Sequence, residues 1–499
     1  MSKNSHLKNG ATLSYVETFS SIVVNLLYVP ILLKFIGQAE YGVYQLASSI
    51  MAYLTVMESS LSTGTLRYYC KYQAIGDREK KENVLAHARV INMIMALIIV
   101  VVSVVAVFII DPIYRSSLSQ HQLNEIKIIL LVFALNSVIK LMGFSYYAII
   151  SGNERFEFLK LLNIASIIIQ PVIILLVIKK EPFALTVVII QTFINLAVML
   201  LRRYYSRHTL GEKIKFHDKR KDTFKGIFGF TGTIMLVAIA DQIFWKADQL
   251  ILAKLYNVKV VAIYAIGAQI FTIYMHIGSA ISTVFYPRIS AHVENNEHEE
   301  INEMFIKLGR LIWLVLGLVL GGFILFGQNF ITLWVGNNYE VVYKVALIIM
   351  IPFTVDLVQN LGLIILQAYN KYMFRAKMYF IIAVMNIGLT IVMAKKWGMV
   401  GAALATAISI TIGTGFIMNW YYAKKIHLDI KGFWKEFGKI TGWGLLAFAG
   451  GFGITYIPVA NTWITFILEC LAYTAIYVFV MYKFAMNKWE KSQVLNFIK

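Results

Sequence analysis

Cysteine is nearly absent from this 499-residue chain: there are two, Cys70 and Cys470. They lie far apart and fall in different parts of the organisation derived below, so neither a disulfide framework nor a cysteine-based metal site follows. Proline is scarce, with seven residues, and only 15% of the chain is charged. Short stretches alternating apolar with polar residues, the mark of a membrane β-barrel, are missing. So are a nucleotide-binding loop, a cluster of metal ligands and a nucleophile constellation. These absences argue against an enzyme, such as a membrane glycosyltransferase or polymerase, and against ATP hydrolysis by this chain. No cofactor is expected.

The chain is instead rich in apolar residues: 59% are hydrophobic and the mean hydropathy is +0.68. They come in runs of roughly 20, the length that crosses a 30 Å hydrocarbon layer as a helix. The expected fold is therefore an all-α polytopic membrane protein. Fourteen spans are predicted, near 11–36, 42–66, 84–109, 126–151, 160–178, 183–201, 226–254, 260–286, 307–327, 343–368, 373–394, 399–422, 440–458 and 463–483. The polar start MSKNSHLKNG runs into the first of these with no cleavage-site pattern, so the first span is read as uncleaved.

The net charge of +19 does not indicate nucleic acid, because the basic residues sit between spans. With both termini in the cytoplasm, 34 Lys and Arg lie on the inner side, 11 on the outer side and Lys140 within a span. The stretch RRYYSRHTLGEKIKFHDKRKDTFK, residues 202–225, contributes most to that asymmetry. It reads as a topology anchor against anionic lipid headgroups.

The chain also repeats itself at an offset of 220 residues. Lys34 meets Lys254, Tyr44 meets Tyr264, Ile50 meets Ile270, and Ser62-Thr63 meet Ser282-Thr283. With small shifts, Glu82 and Arg89 then match Glu303 and Arg310, and Asn153 and Lys160 match Asn370 and Lys377. The predicted organisation is an N-lobe over 1–201, a basic linker over 202–225, a C-lobe over 226–422 and two further helices with a tail over 423–499. Six spans per half keep the halves parallel, an arrangement that usually carries a transport path between them.

LLKFIGQAEYGVYQLASSI resembles the LG-x-x-x-YG-x-Y signature that follows the first span of bacterial polysaccharide repeat-unit flippases. KADQLILAKLYNVKVVAIYAIGAQI is similar to its echo in the second half; VFYPRISAHVENNE and WGMVGAALATAIS are similar to family segments after span 8 and entering span 12. Asn257 stands where the second half usually has a glycine, which left-handed backbone would permit. The resemblance implies membership of the multidrug/oligosaccharidyl-lipid/polysaccharide exporter superfamily and two six-helix lobes around a central cavity. It implies transfer of an undecaprenyl-pyrophosphate-linked oligosaccharide to the outer leaflet of a bacterial cytoplasmic membrane. Partners would be that lipid-linked oligosaccharide, membrane lipids, a coupling H+ or Na+, and polysaccharide polymerase machinery. A cation-coupled drug exporter of the same superfamily is the alternative.

The segment IADQIFWKADQLILAKLYN, residues 239–257, places several charges in an apolar run, where each costs about 2.5–3.5 kcal/mol at mid-bilayer. At helical spacing Asp241, Gln242, Trp245, Lys246, Asp248 and Gln249 share one sector. Either that sector lines a wet path, or Asp248 and Lys254 sit at the interface and snorkel. Glu17, Glu58, Lys140, His276 and Asp356 are the other deep polar groups. Lys140, Lys246, Glu58 and His276 are candidate substrate contacts; Asp241, Asp356, Glu17 and Asp248 are candidate coupling residues. Lys140 either meets the pyrophosphate or forms a permanent salt bridge with Asp356. Tyr53 and Tyr274 are candidates for stacking on sugar rings, and Pro30, Pro171 and Pro352 for bending their spans.

The charge asymmetry generates a topology prediction. A cysteine placed at Asn337 or Asn338 should react with an impermeant thiol reagent in intact cells, and one placed within 202–225 only after permeabilisation. External reactivity of the linker would reverse the orientation.

Overall fold

The computed structural model describes residues 3–217, 221–283, 285–369, 371–458 and 460–492; side chains are described for these except at 3–11, 57–63, 221–234, 236–237, 280–281, 283 and 286–287. No strand occurs among the described residues. With no water in hydrocarbon to satisfy N–H and C=O groups, a spanning chain has to close its hydrogen bonds within itself, and this chain does so as helices. Ten helices among the described residues are long and apolar enough to cross a membrane. The chain divides into two compact units, residues 1–262 and 263–499.

The first unit holds α1 (Lys3–Ile75), α2 (Arg78–Tyr114), α3 (Gln120–Gly152), α4 (Phe156–Ile178), α5 (Ala184–Tyr204) and α6 (Lys221–Leu255). The first two predicted spans both lie on α1, which breaks at Gly37, where φ is 80° and ψ 167°. Glycine alone takes that conformation without a Cβ clash. Asp77 caps α2 by accepting from Lys80 N at 3.0 Å, and Ser119 opens α3 with a capping box. The core of the unit is α1 packed against α3, α4 and α6.

The YG-x-Y signature acquires a physical reason here. A Cβ on Gly42 would overlap the Val258 carbonyl, so glycine lets α1 lie directly on the turn that follows α6. Gln38 Nε2 donates to Lys259 O at 3.0 Å from the same side, and Tyr41 is buried. Two turns that correspond in the repeat are thus packed on each other. The expectation for Asn257 is corrected: its backbone is not left-handed. Its Oδ1 instead accepts from Val260 N at 3.1 Å and caps the next helix.

That helix, α7 (Val258–Thr283), leads into the second unit. There follow α8 (Tyr286–Glu294), α9 (His298–Val335), α10 (Glu340–Val358), α11 (Asn360–Ala368) and α12 (Tyr372–Ile410). π-helical turns Thr411–Met418 and Tyr422–Ile426 flank a short α13 (Asn419–Tyr421), before α14 (Ile430–Ile454) and α15 (Trp463–Val480). Predicted spans 11 and 12 form one helical run broken at Trp397 and Gly398. In the WGMVGAALATAIS motif, Gly398 takes positive φ, and a Cβ on Gly401 would overlap the Met393 carbonyl. Pro352 lies inside α10, and the helix ends further on, at Val358; Pro30 and Pro171 are likewise inside helices.

The last two helices are bound to α9. Tyr477 donates to Leu314 O at 3.0 Å, and Gly317 and Gly321 leave room for the Tyr477 and Tyr473 hydroxyls. At one end Arg310 grips Glu490 through Nε at 2.7 Å and Nη2 at 3.0 Å, Glu436 at 2.6 Å and the Ala485 carbonyl at 2.9 Å. Glu490 is only 1% exposed, so removing the guanidinium would strand a buried carboxylate. Arg310→Met should destabilise the purified protein by about 3–5 kcal/mol, read as a lower melting temperature in detergent. Arg310→Met/Glu490→Gln should recover part of the loss. An unchanged melting temperature in the single variant would show that the clamp adds nothing.

Candidate functional site

A cavity of about 380 Å3 opens inside the first unit, among α1, α3, α4 and α5. Its polar lining comes from Glu17, Lys140, Asn163, Ser166, Asn195 and Arg202. Two of the sequence candidates, Glu17 on α1 and Lys140 on α3, are therefore brought to one place from positions more than 120 residues apart in the chain.

Glu17 on α1 accepts from Lys160 Nζ at 2.7 Å and from Asn163 Nδ2 at 2.9 Å, both on α4. Lys160 and Asn163 are three residues apart and so share a helix face. Asn163 Oδ1 in turn accepts from Arg202 Nη2 at 3.0 Å. The Arg202 guanidinium lies over the Tyr147 ring, 5.5 Å from its centroid. Its Nε–H is buried with no acceptor among the described residues. Lys140 reaches the cavity from α3 with no hydrogen bond or ion pair among the described residues. Asn195 is steadied by donating to Asn136 Oδ1 at 2.8 Å.

The one carboxylate here is neutralised by Lys160, which leaves Lys140 and Arg202 as surplus positive charge around a polar space. Such a space suits an anion that accepts several N–H bonds, and the fork of an arginine suits the oxygens of a phosphate. The amides of Asn163 and Asn195 add donors and acceptors of the kind that hydroxyl-rich ligands use.

The other candidates lie elsewhere. The polar sector of 239–257 is divided: Asp248 and Gln249 are 2% and 1% exposed, and Gln249 Oε1 accepts from the Ser49 hydroxyl on α1. Those two belong to the packed side of α6, a correction to the reading of one uniformly wet face. Asp241 and Lys246 are partly exposed. Lys254 donates to the Ile113 carbonyl and, at 3.1 Å, to Ser116, a cation at the C-terminal end of α2. Glu58 falls outside the described side chains. In the second unit, His276 is exposed. Asp356 faces Arg375 at 3.9 Å, and Arg375 lies 4.7 Å from the Tyr379 ring centroid. Tyr274 is buried with its hydroxyl 2.7 Å from that of Thr354, so it presents no face to a sugar.

Arg202, Lys160, Asn163 and Asn195 were not singled out from the sequence as site residues. Arg202 reads as the first residue of a basic loop, whereas α5 runs on through Tyr204. The usable signal was Glu17, a carboxylate in an apolar run that needs a cation facing it.

A family model described as polysaccharide biosynthesis protein matches residues 6–293. The chain is similar to a Shigella flexneri protein named "Putative O-antigen transporter", 20% identical over 418 residues, covering 81% of this chain and 96% of that protein. It is also similar to a Haloferax volcanii protein named "Probable low-salt glycan biosynthesis flippase Agl15", 22% identical over 249 residues, 49% of this chain and 52% of the other. Among solved structures, the lipid II flippase MurJ in an inward closed conformation superposes with a TM-score of 0.76 at 17% identity, over 94% of this chain and 98% of that one. An inward-facing multidrug resistance MATE family transporter of the MOP superfamily gives 0.61 at 14% identity, over 83% and 96%. At these identities the two structures show a shared fold.

Proposed function

The chain belongs to the polysaccharide biosynthesis protein family, and on that premise we propose that it is a flippase for lipid-linked oligosaccharides. Its multi-pass helical build, its relatives and its fold support that reading. The observation that carries it is the 380 Å3 cavity, where Lys140 and Arg202 stand without carboxylates of their own. A phosphate-bearing lipid carrier is what such a pair would hold while its sugars meet the asparagine amides. The finer reading is an undecaprenyl-pyrophosphate carrier, moved from the inner to the outer leaflet of a bacterial cytoplasmic membrane. Fourteen spans, both termini inside, and halves at 1–201 and 226–422 joined by the 202–225 linker belong to the same proposal.

The MATE-like fold equally fits a drug exporter of the superfamily. Cationic drugs, however, would be repelled by a cavity whose surplus charge is positive. Lys140→Ala should therefore lower export of the lipid-linked oligosaccharide roughly tenfold or more, the effect of losing one charge-assisted hydrogen bond, whereas Lys140→Arg should retain most of it. Full export by Lys140→Ala would remove this lysine from substrate handling.

We propose Asp241 as the coupling carboxylate. Asp241 is a carboxylate midway along the apolar run of α6, where a charge is costly unless it serves a task, and it is partly exposed, whereas Asp248 is packed into the unit. Asp241→Asn should reach the membrane normally yet export more slowly, with no response to an imposed proton or sodium gradient. Wild-type rates at every gradient would rule that role out.

A further inference from the structure

A second, smaller cavity of about 180 Å3 lies in the first unit, beside the irregular linker that follows α5. It is lined by Arg89 of α2, Met142, Ser145 and Tyr146 of α3, and Arg203, with Ile214 of the linker closing one side. Ser145 is 2% exposed, and its hydroxyl has no hydrogen-bond partner among the described residues. A serine inside a helix usually donates to the carbonyl one turn back; this one does not. Arg89 and Arg203 make no ion pair or hydrogen bond among the described residues, and no carboxylate lines the cavity. Arg89 is partly exposed and Arg203 exposed, so water meets their charges when the cavity is otherwise empty; an anion entering it would find two cations of like sign and a buried hydroxyl that needs a partner.

The internal repeat supplies an independent comparison. Arg89 corresponds to Arg310, and in the second unit Arg310 is satisfied by two oxygens of Glu490 and by Glu436. Those carboxylates come from α14 and the segment after α15, which have no counterpart in the first half. The first unit thus keeps the arginine and lacks its acids.

We propose that the cavity framed by Arg89, Ser145 and Arg203 is a binding site for a phosphate group. The group is carried either by an anionic lipid headgroup or by a small soluble phosphate, and it takes the place that acidic side chains fill at Arg310. The guanidinium forks donate to two phosphate oxygens and the Ser145 hydroxyl donates to a third. The site is separate from the 380 Å3 cavity, with Met199 lining both.

The test uses the full chain in nanodiscs of phosphatidylcholine, with or without phosphatidylglycerol, and inorganic phosphate titrated into the phosphatidylcholine form. One probe or the other should raise the melting temperature of the wild type. Arg89→Gln/Arg203→Gln should lower the apparent affinity for that probe about tenfold or more, while Lys424→Gln/Lys425→Gln, an equal change of charge elsewhere, should not. A response to phosphatidylglycerol alone assigns the site to a lipid headgroup; a response to inorganic phosphate assigns it to a soluble anion. If the double arginine variant does not fold, Ser145→Val, which removes the hydroxyl and fills the cavity floor, must lose the same response. No response to either probe, or equal losses in the arginine and lysine variants, would overturn the proposal.

Discussion

Moving a carboxylate or a guanidinium out of water costs several kcal/mol unless an opposite charge and further hydrogen bonds replace the lost hydration. In this chain that requirement decides which helices sit together. Glu17 draws Lys160 and Asn163 to it and so ties α1 to α4. Arg310 gathers Glu436, Glu490 and the Ala485 carbonyl, and thereby fastens the last two helices to α9. Asp356 and Arg375 meet within reach of tyrosine rings. Where a cation lacks such a partner, as at Lys140, a polar cavity opens beside it.

Close packing of backbones is the second constraint. Lipid tails are as apolar as leucine, so helices gain little by hiding apolar surface from them, and contact depends on shape and on small residues. Gly42 lets α1 touch the turn after α6, Gly401 lets two stretches of α12 touch across their break, and Gly317 and Gly321 seat tyrosine hydroxyls on α9. The family motifs are thus made of contact points.

The two halves of the repeat show how a shared scaffold diverges. Corresponding arginines, Arg89 and Arg310, sit at matching places on α2 and α9. Arg310 is the centre of a structural clamp whose acids come from α14 and the segment after α15. Arg89 lines a cavity instead. The matching turns diverge in the same way: Gly37 turns by positive φ, whereas Asn257 caps a helix through its side chain.

The sequence alone determined the helical membrane class and the family, because hydropathy, glycine spacing and motif order are properties of the chain read in line. It also marked Glu17 and Lys140 as polar groups in apolar surroundings. Only the tertiary structure decided what those groups do. Whether Lys140 faces Asp356, a ligand or lipid depends on helix rotation and on neighbours far away in sequence. The structure gave Asp356 to Arg375, sent Asp248 and Gln249 into the packing against α1, and drew Arg202 from an apparent loop to a cavity wall. A charge in a span needs a partner, but linear order does not name it: the partner is set by which helix faces meet.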